Sequence, residues 1–295
     1  MPASVLAIRA RTIVPLTGES PARGARLFAA LKKIDNAVLL VRDGLVEDVL
    51  PWKNARLPAG ARVRDVGPVC LVPACINAHA HIQLSYLAGR TLWGKGFTAW
   101  LASMIPQLGA STAAEVAAAA ESACESLAAT GALHVGDVAG SLRGGVALVD
   151  RACREAGVGV SHFCEWFGFG PPFIDGERPW PPRCRDELAA DPALAGRLYS
   201  TAPEVLRAAR DHCARHNTVF SFHLAESPEE TRLLTSGDGP LYDCYAGTVL
   251  PEGWRPPGMR PLAYAAGLGL LGPGALAVHG AQLDAQEVEV LAAGG

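Results

Sequence analysis

The sequence predicts an α/β fold in which a small all-β unit precedes about six β-strand–helix units. Two features of the chain predict this class. Residues 4–65 combine short apolar alternation with turn residues, whereas the chain after Gly67-Pro68 alternates β-type apolar runs with alanine-rich helical patterns. The second pattern is typical of βα units around a parallel sheet, which is either a barrel or an open sheet. At 295 residues and 49% hydrophobic, the chain can bury a core of that size.

The all-β unit is predicted over residues 1–66. Two apolar runs in it, around Val38 and around Val49, are separated by Asp43-Gly44. An Asp-Gly dipeptide between apolar runs favours a tight hairpin turn. The domain boundary is therefore expected after residue 66, and residues 67–295 are expected to form the second unit.

Six strands and four helix starts are predicted in the second unit. The strands are apolar runs bounded by turn residues, at 70–78, 133–138, 158–165, 197–200, 218–223 and 275–279. The helix starts are capping boxes, in which Ser, Thr or Asp precedes Glu by three residues, at Thr112, Thr201, Ser227 and Asp284. Residues 235–261 are predicted as an irregular loop, and residues 168–185 as a second loop that shapes a pocket.

Composition excludes several kinds of partner. The chain has 26 basic and 29 acidic residues and a formal net charge of -3, so neither nucleic acid nor an anionic membrane is expected to bind it. A small molecule is the expected substrate, and a homodimer is the assembly that we consider. The eight cysteines form no C-x-x-C pair, which favours reduced thiols. With no apolar leader and no run long enough to span a bilayer, we expect a cytoplasmic protein.

The stretch INAHAHIQLS, residues 76–85, contains the first candidate site residues. His79 and His81 follow an apolar run, and side chains at positions i and i+2 of a strand point to the same face. Active sites form at the carboxyl ends of parallel strands, and two neutral imidazoles on one face suit Zn²⁺ or Fe²⁺. Two polar residues packed at a strand end are the alternative interpretation, which the H-x-H pattern alone leaves open.

The stretch FSFHLAE, residues 220–226, adds a histidine and a carboxylate. His223 ends a predicted strand, and Glu226 follows at the turn before the helix start at Ser227. His223 could supply a third metal ligand, and a carboxyl group beside the metal could give a proton to a leaving nitrogen. The alternative for Glu226 is a helix-entry carboxylate stabilised by the helix dipole.

A third predicted strand ends in His279, and Glu165 ends a fourth. The role of Glu165 stays open between a substrate contact, a metal ligand and a buried polar partner. The remaining histidines lack such a placement and are interpreted as structural or exposed: His134, His162, His212 and His216.

A β unit followed in order by LVPACINAHAHIQLS, FSFHLAES and LAVHGAQLD resembles the amidohydrolase superfamily, and within it the branch of triazine hydrolases, cytosine and guanine deaminases and aminofutalosine deaminases. The resemblance covers nearly the whole chain. It implies a (β/α)8 TIM-like barrel, here with about six βα units, and a small β-sandwich to which residues 1–66 contribute the N-terminal part. It also implies one bound Zn²⁺ or Fe²⁺.

The same resemblance implies roles for individual residues. His79, His81 and His223 would be the metal ligands, Glu226 the proton shuttle, and His279 the residue that orients the water or the departing group. Substrate-binding residues are expected at Glu165, Arg197 and Tyr199.

The sequence departs from the family pattern at several points. Ala74 stands where the family usually has glycine, and Arg197 stands where a histidine is often found ahead of Tyr199. Because Lys95 is the last lysine, composition excludes a binuclear site bridged by a carboxylated lysine on a middle strand. The family's aspartate on an eighth strand, which takes the proton from the attacking water, has no counterpart. We therefore expect that the chain is truncated.

The leading functional hypothesis is a mononuclear metal-dependent aminohydrolase. Its expected substrate is an amino-substituted heteroaromatic ring, such as a purine nucleoside derivative like aminofutalosine or adenosine. One alternative is displacement of chloride or alkylamine from a triazine, or opening of a cyclic amide. The other is a non-catalytic remnant or assembly subunit.

Overall fold

The computed structural model describes residues 5–16, 31–139, 145–169 and 193–293. The chain divides into two compact units, Met1–Ala74 and Cys75–Gly295. The division lies later in the chain than the boundary predicted after residue 66, because one predicted strand is in fact two short strands in different sheets.

The described residues of the first unit form five strands: β1 (Val5–Ile13), β2 (Ile34–Arg42), β3 (Leu45–Pro51), β4 (Arg62–Asp65) and β5 (Cys70–Leu71). Their order is β3-β2-β1-β4, and β5 also pairs with β1. The predicted hairpin is confirmed, since β2 and β3 pair antiparallel across Asp43 and Gly44. Both turn residues have positive φ, 51° and 83°, a conformation that Asp and Gly tolerate.

The second unit contains a six-stranded sheet in which neighbouring strands are parallel. In spatial order the strands are β11 (Ala275–His279), β10 (Phe220–Leu224), β9 (Ala193–Arg197), β8 (Gly159–Glu165), β7 (Ala132–Ala139) and β6 (Cys75–Ala80). The sheet curves strongly: the imidazole rings of His79 and His279, on its two outermost strands, are only 5.2 Å apart. The predicted α/β class is therefore confirmed as an incomplete barrel of six strands.

Eight α-helices accompany the strands in the described part of the chain: α1 (Phe97–Met104), α2 (Ala113–Ala129), α3 (Gly145–Glu155), α4 (Pro203–Arg215), α5 (Pro228–Ser236), α6 (Pro240–Tyr245), α7 (Pro261–Gly267) and α8 (Ala285–Ala293). Within the described ranges, no helix combines the length and the apolar character needed to cross a bilayer.

Apolar side chains pack on both faces of the barrel strands. Val135, Cys164 and Leu194 belong to a large core that also includes helix residues. Val138, Phe163 and Ala195 lie on the same three strands, each an odd number of residues away from the first set, and form a separate, smaller cluster. Because side chains alternate across a strand, the second cluster fills the barrel interior. The carboxyl ends of the strands, where the candidate site residues lie, are beyond this cluster.

Two predicted strands are wrong in detail. The strand predicted at 70–78 divides into β5, which pairs with β1, and β6, which pairs with β7. Pro73 lies between them and cannot donate to a ladder, which accounts for the break. The strand predicted at 197–200 is instead β9, and residues 198–200 form a turn. Tyr199 therefore lies after the strand rather than on it.

Two of the predicted capping boxes are confirmed and one is wrong. The capping boxes at Thr112 and Asp284 are confirmed by reciprocal hydrogen bonds with Glu115 and Glu287. The box at Thr201 is wrong, because α4 begins at Pro203 and the Thr201 hydroxyl donates to the carbonyl of Trp166 instead. Residues 235–261, predicted as a loop, contain the end of α5 and all of α6. Most of the loop predicted at 168–185 lies outside the described residues.

Candidate metal centre and active site

Four histidines meet at the carboxyl end of the barrel. His79 lies on β6, His81 directly follows it, and His223 and His279 lie near or at the ends of β10 and β11. The ring centroid of His79 is 5.0 Å from that of His81, 4.8 Å from that of His223 and 5.2 Å from that of His279. Residues up to 200 positions apart in the sequence thus share one site because parallel strands end at the same edge.

Three of these histidines could hold one metal ion. One ligand atom from each of His79, His81 and His223 lies within 4.8 Å of the others, and the Nε2 atoms of His81 and His223 are 3.2 Å apart. Within the part of the chain that the structure describes, the buried Nδ1 atom of His79 has no hydrogen-bond partner. Three imidazoles with an open fourth position form a donor set typical of catalytic zinc. The arrangement therefore fits a metal.

The protonation of these histidines also suits a metal. Burial, together with the neighbouring His81 and His279, lowers the pKa of His79 from 6.5 to about 4. Burial likewise lowers the pKa of His81, and that of His223 well below 6.5. The Nδ1–H of His223 donates to the carbonyl oxygen of Gly196 at 3.3 Å, which leaves its Nε2 lone pair free. All three rings are therefore neutral near pH 7, as metal ligands must be.

A buried aspartate, which the sequence analysis missed, supports the turn after His81. Asp137, on β7, is fully buried, and its carboxylate accepts the Ile82 N–H at 2.8 Å. The other carboxylate oxygen lies 3.3 Å from Nδ1 of His162, whose Nε2 lies 2.9 Å from Asp150. An acidic residue inside an apolar strand pattern is a sequence signal that could have identified Asp137. His162 thus lies between two carboxylates, and its interpretation as a structural residue stays a prediction.

Glu226 lies in the turn between β10 and α5 and faces the histidines. Its Oε1 atom is 3.5 Å from Nε2 of His279, and its Oε2 atom accepts the Tyr199 hydroxyl at 3.1 Å. The Glu226 side chain is 18% exposed, whereas Tyr199 is completely buried. Burial raises the pKa of Tyr199 well above 10, which keeps its phenol a hydrogen-bond donor.

Glu165 and Arg197 extend this network on the other side of Tyr199. The Arg197 Nε donates to Oε1 of Glu165 at 2.6 Å, and its Nη1 donates to the Tyr199 hydroxyl at 3.3 Å. Glu165 lies 3.7 Å from Nδ1 of His223 but does not join the group of converging ligand atoms within the described residues. A continuous chain of polar contacts therefore runs from Glu165 through Arg197 and Tyr199 to Glu226.

Two site segments have a strained backbone. Ala225, which precedes Glu226, has φ of 49°, and His279 has φ of 77°. A residue with a Cβ atom rarely adopts positive φ, and such residues cluster at functional sites. The Gln282 N–H donates to the carbonyl of Ala225 and the Gly280 N–H donates to that of Leu224, at 2.9 Å and 2.8 Å. These bonds join the ends of β10 and β11.

The histidines interpreted as structural lie elsewhere. His134 lies near the amino end of β7, where its Nε2 is 2.9 Å from the Ser161 hydroxyl. His212 and His216 stack on each other at the end of α4, with ring centroids 4.3 Å apart. None of the three belongs to the converging group among the described residues.

No protein-family model matches the sequence. Among curated proteins, the chain is 26% identical over 277 residues to a 5-methylthioadenosine/S-adenosylhomocysteine deaminase from Nitratidesulfovibrio vulgaris, covering 89% of this chain and 56% of that protein. It is also 36% identical over 67 residues to an imidazolonepropionase from Deinococcus deserti, covering 21% of this chain and 16% of that protein. The chain spans about half the length of the deaminase relatives that it matches, 56% and 49%.

Solved structures show the same fold over nearly the whole chain. The aminofutalosine deaminase of Helicobacter pylori in complex with methylthio-coformycin aligns with a TM-score of 0.76 at 16% identity, covering 98% of this chain and 67% of that one. An adenosine deaminase from Xanthomonas campestris with bound zinc aligns with a TM-score of 0.62 at 18% identity, covering 98% of this chain and 61% of that one. The comparisons confirm the resemblance to the amidohydrolase superfamily, and the structural ones establish the incomplete barrel.

Proposed function

We propose that this chain is part of a mononuclear metal-dependent aminohydrolase that removes an amino group from a heteroaromatic ring. One observation carries the proposal: three neutral imidazole donors converge beside a carboxylate, Glu226, whose two oxygens face Tyr199 and His279. A metal-activated water and an adjacent proton carrier are the two groups that hydrolysis of a ring C–NH₂ bond needs. In that reaction water adds to the ring carbon, the C–N bond breaks, and ammonia leaves.

His79, His81 and His223 are the proposed metal ligands. Zinc is the proposed metal and iron the alternative, since neutral imidazole suits both. When bound, the ion would supply a Lewis acid that lowers the pKa of a water molecule to about 7. The donor set supports this assignment independently of the comparisons, because burial keeps all three imidazoles unprotonated.

Glu226 is the proposed proton shuttle. Its Oε2 is held by the Tyr199 hydroxyl, while its Oε1, beside His279, is the atom placed to carry a proton to the ring nitrogen and then to the departing amine. We propose that His279 orients the water or the leaving amine. Tyr199 is fully buried, so we propose that it acts by holding Glu226 and does not contact the ring.

The proposed substrate class is an amino-substituted purine or purine nucleoside. The names of the matched proteins support it, since they include deaminases of 5-methylthioadenosine and S-adenosylhomocysteine, of adenosine and of guanine. Arg197 and Glu165, whose side chains are 10% and 13% exposed beside the histidines, are the proposed contacts to the ring. The structural match to a triazine hydrolase keeps displacement from a triazine as the second candidate.

We also propose a cytoplasmic location and a small molecule as the partner. Six cysteines among the described residues are free thiols, which favours a reducing compartment: Cys70, Cys75, Cys124, Cys153, Cys213 and Cys244. Neither nucleic acid nor a membrane surface is proposed as a partner, and a homodimer remains the proposed assembly.

The experiment is ammonia release by the zinc-loaded protein over a panel of adenosine, 5′-methylthioadenosine, guanine and an amino-substituted chlorotriazine. We expect ammonia from at least one purine, and we expect Glu226→Gln to abolish it while bound zinc, measured by elemental analysis, is unchanged. Chloride release without ammonia would favour the triazine reaction. A metal-loaded, cooperatively melting protein with neither product would favour a non-catalytic role.

A further inference from the structure

The first turn of α5 contains a buried carboxylate that does more than cap the helix. Ser227 is the N-cap residue, and its hydroxyl accepts the Glu230 N–H at 3.2 Å. The Glu230 carboxylate reaches back beyond the cap to the two residues before it. Its Oε1 accepts the Ala225 N–H at 3.1 Å, and its Oε2 accepts the Glu226 N–H at 2.6 Å.

The burial of Glu230 makes these bonds significant. Its side chain is completely inaccessible, whereas its neighbour Glu229 on the same turn is partly exposed. Burying a charged carboxylate is costly, and burial raises the pKa of Glu230 to about 8 although the backbone N–H bonds act to lower it. An acidic residue that caps a helix can stay on the surface, as Glu115 does at the start of α2, where its side chain is 44% exposed.

The segment that Glu230 holds carries the proposed proton shuttle. Ala225 has φ of 49°. Its carbonyl accepts the Gln282 N–H, and the carbonyl of the preceding peptide unit, that of Leu224, accepts the Gly280 N–H. Glu230 fixes the opposite side of the same two peptide units, through their N–H groups. The turn is therefore clamped from both sides in a conformation that a non-glycine residue rarely adopts.

We infer that Glu230 is a positioning residue, whose carboxyl group holds the backbone of Ala225 and Glu226 so that the Glu226 side chain stays between Tyr199 and His279. This inference rests on the proposed function of Glu226. The Glu230 carboxyl group bonds to the backbone N–H groups of Ala225 and Glu226 rather than to the side chain of Glu226. Its effect on the reaction is transmitted through the turn.

The structure gives the expected result of substitution. Glu230→Gln keeps the size of the side chain but replaces one acceptor oxygen by an NH₂ group that faces a backbone N–H. One buried N–H then loses its partner, and the turn is free to relax. Because displacement of a catalytic group by about 1 Å can cost about 100-fold in rate, we expect kcat to fall by about 10- to 100-fold. KM and zinc content should change less than twofold, since no metal ligand moves.

Glu229→Gln is the matched control. It changes a glutamate in the same helical turn, and the N–H groups of Ala225 and Glu226 are bonded to Glu230 instead. The variants are compared in the full-length, zinc-loaded protein by steady-state kinetics with adenosine or whichever purine is turned over, and by amide hydrogen exchange of residues 225 and 226. We expect faster exchange at these amides and lower kcat in Glu230→Gln, and neither in Glu229→Gln. Equal exchange and equal kcat in the two variants would overturn the inference.

Hydrogen exchange separates this inference from the proposed function. If the native protein hydrolyses no purine, the proposed function fails, while protection of the two amides by Glu230 is still measured. If Glu230→Gln does not fold, the native protein alone decides: the Glu226 amide is expected to exchange as slowly as the amides of β10, and rapid exchange there would contradict the inference.

Discussion

The Nε2 atoms of His81 and His223 lie 3.2 Å apart, although 142 residues separate the two histidines in the sequence. Two neutral imidazoles bring their nitrogen atoms this close when they share a proton or a cation. The shared-cation interpretation predicts that zinc binding and stability depend on both residues.

Loss of one ligand should therefore remove both the metal and its stabilisation. We expect His223→Ala to abolish stoichiometric zinc binding, measured by calorimetry, and His216→Ala, an exposed histidine outside the site, to retain it. In the native protein, zinc at 100 times its Kd should raise the free energy of unfolding by about 2.7 kcal/mol. Equal zinc binding by the two variants would contradict the assigned ligands.

The lowered pKa of His79 predicts a pH dependence of stability in the metal-free protein. In the unfolded chain this histidine takes up a proton near pH 6.5, but in the folded protein it stays neutral down to about pH 4. Between these values the unfolded state binds more protons, so the free energy of unfolding falls as pH decreases from 6.5 to about 4.

Urea denaturation with EDTA across this pH window measures the effect. His79→Asn should have a flatter profile than the native protein, and His216→Ala should follow the native profile. A native profile that does not fall on acidification would show that the site histidines are protonated in the folded state.

The buried ion pair between Arg197 and Glu165 should contribute to stability far more than a surface pair of the same length. The Arg197 Nε atom lies 2.6 Å from a Glu165 oxygen, and the two side chains are 10% and 13% exposed. The surface pair of Arg232 and Asp238 has the same kind of contact at 2.7 Å, but its side chains are 57% and 56% exposed. Removing one partner of a buried pair leaves an uncompensated charge and costs about 3–5 kcal/mol.

Thermal and urea denaturation test this difference. Glu165→Gln should lower the free energy of unfolding by about 3 kcal/mol or more. Asp238→Asn should leave Tm unchanged, because solvent screens the surface pair. Similar shifts in the two variants would mean that Arg197 finds another partner when Glu165 is neutral.

The strand-end histidines could be predicted from the sequence because local rules determine them. The two-residue period of a strand relates His79 to His81, and the common direction of parallel strands brings them to His223 and His279. The hairpin at Asp43-Gly44 and the capping boxes at Thr112 and Asp284 were predictable for the same reason, since each depends on residues within a few positions.

The groups that support the site could not be predicted in this way. Asp137 holds the Ile82 N–H across a sequence separation of 55, a contact that no local pattern specifies. Glu230 has the spacing of a capping box, but its bonds to Ala225 and Glu226 depend on how the turn before the helix folds. Tyr199 was expected on a strand because its segment is apolar, yet the strand ends at Arg197.

Tyr199 provides the last prediction, because its hydroxyl is the link between Arg197 and Glu226. Tyr199→Phe removes the donor to Glu226 and the acceptor for Arg197 without changing the ring packing. General acid–base catalysis contributes about 100- to 10,000-fold, so partial loss of orientation should reduce kcat by about tenfold and leave KM unchanged. The lost hydrogen bond should lower the free energy of unfolding by about 1–3 kcal/mol.

Tyr245→Phe is the control that the structure offers. Tyr245 stacks beside Tyr199 with ring centroids 6.2 Å apart, it is equally buried, and its hydroxyl has no hydrogen-bond partner among the described residues. Removal of an unsatisfied buried hydroxyl should leave kcat unchanged and stability unchanged or slightly higher. If the two variants have the same kcat, the hydroxyl of Tyr199 does not orient Glu226, and the proton shuttle must be held by His279 and the backbone turn alone.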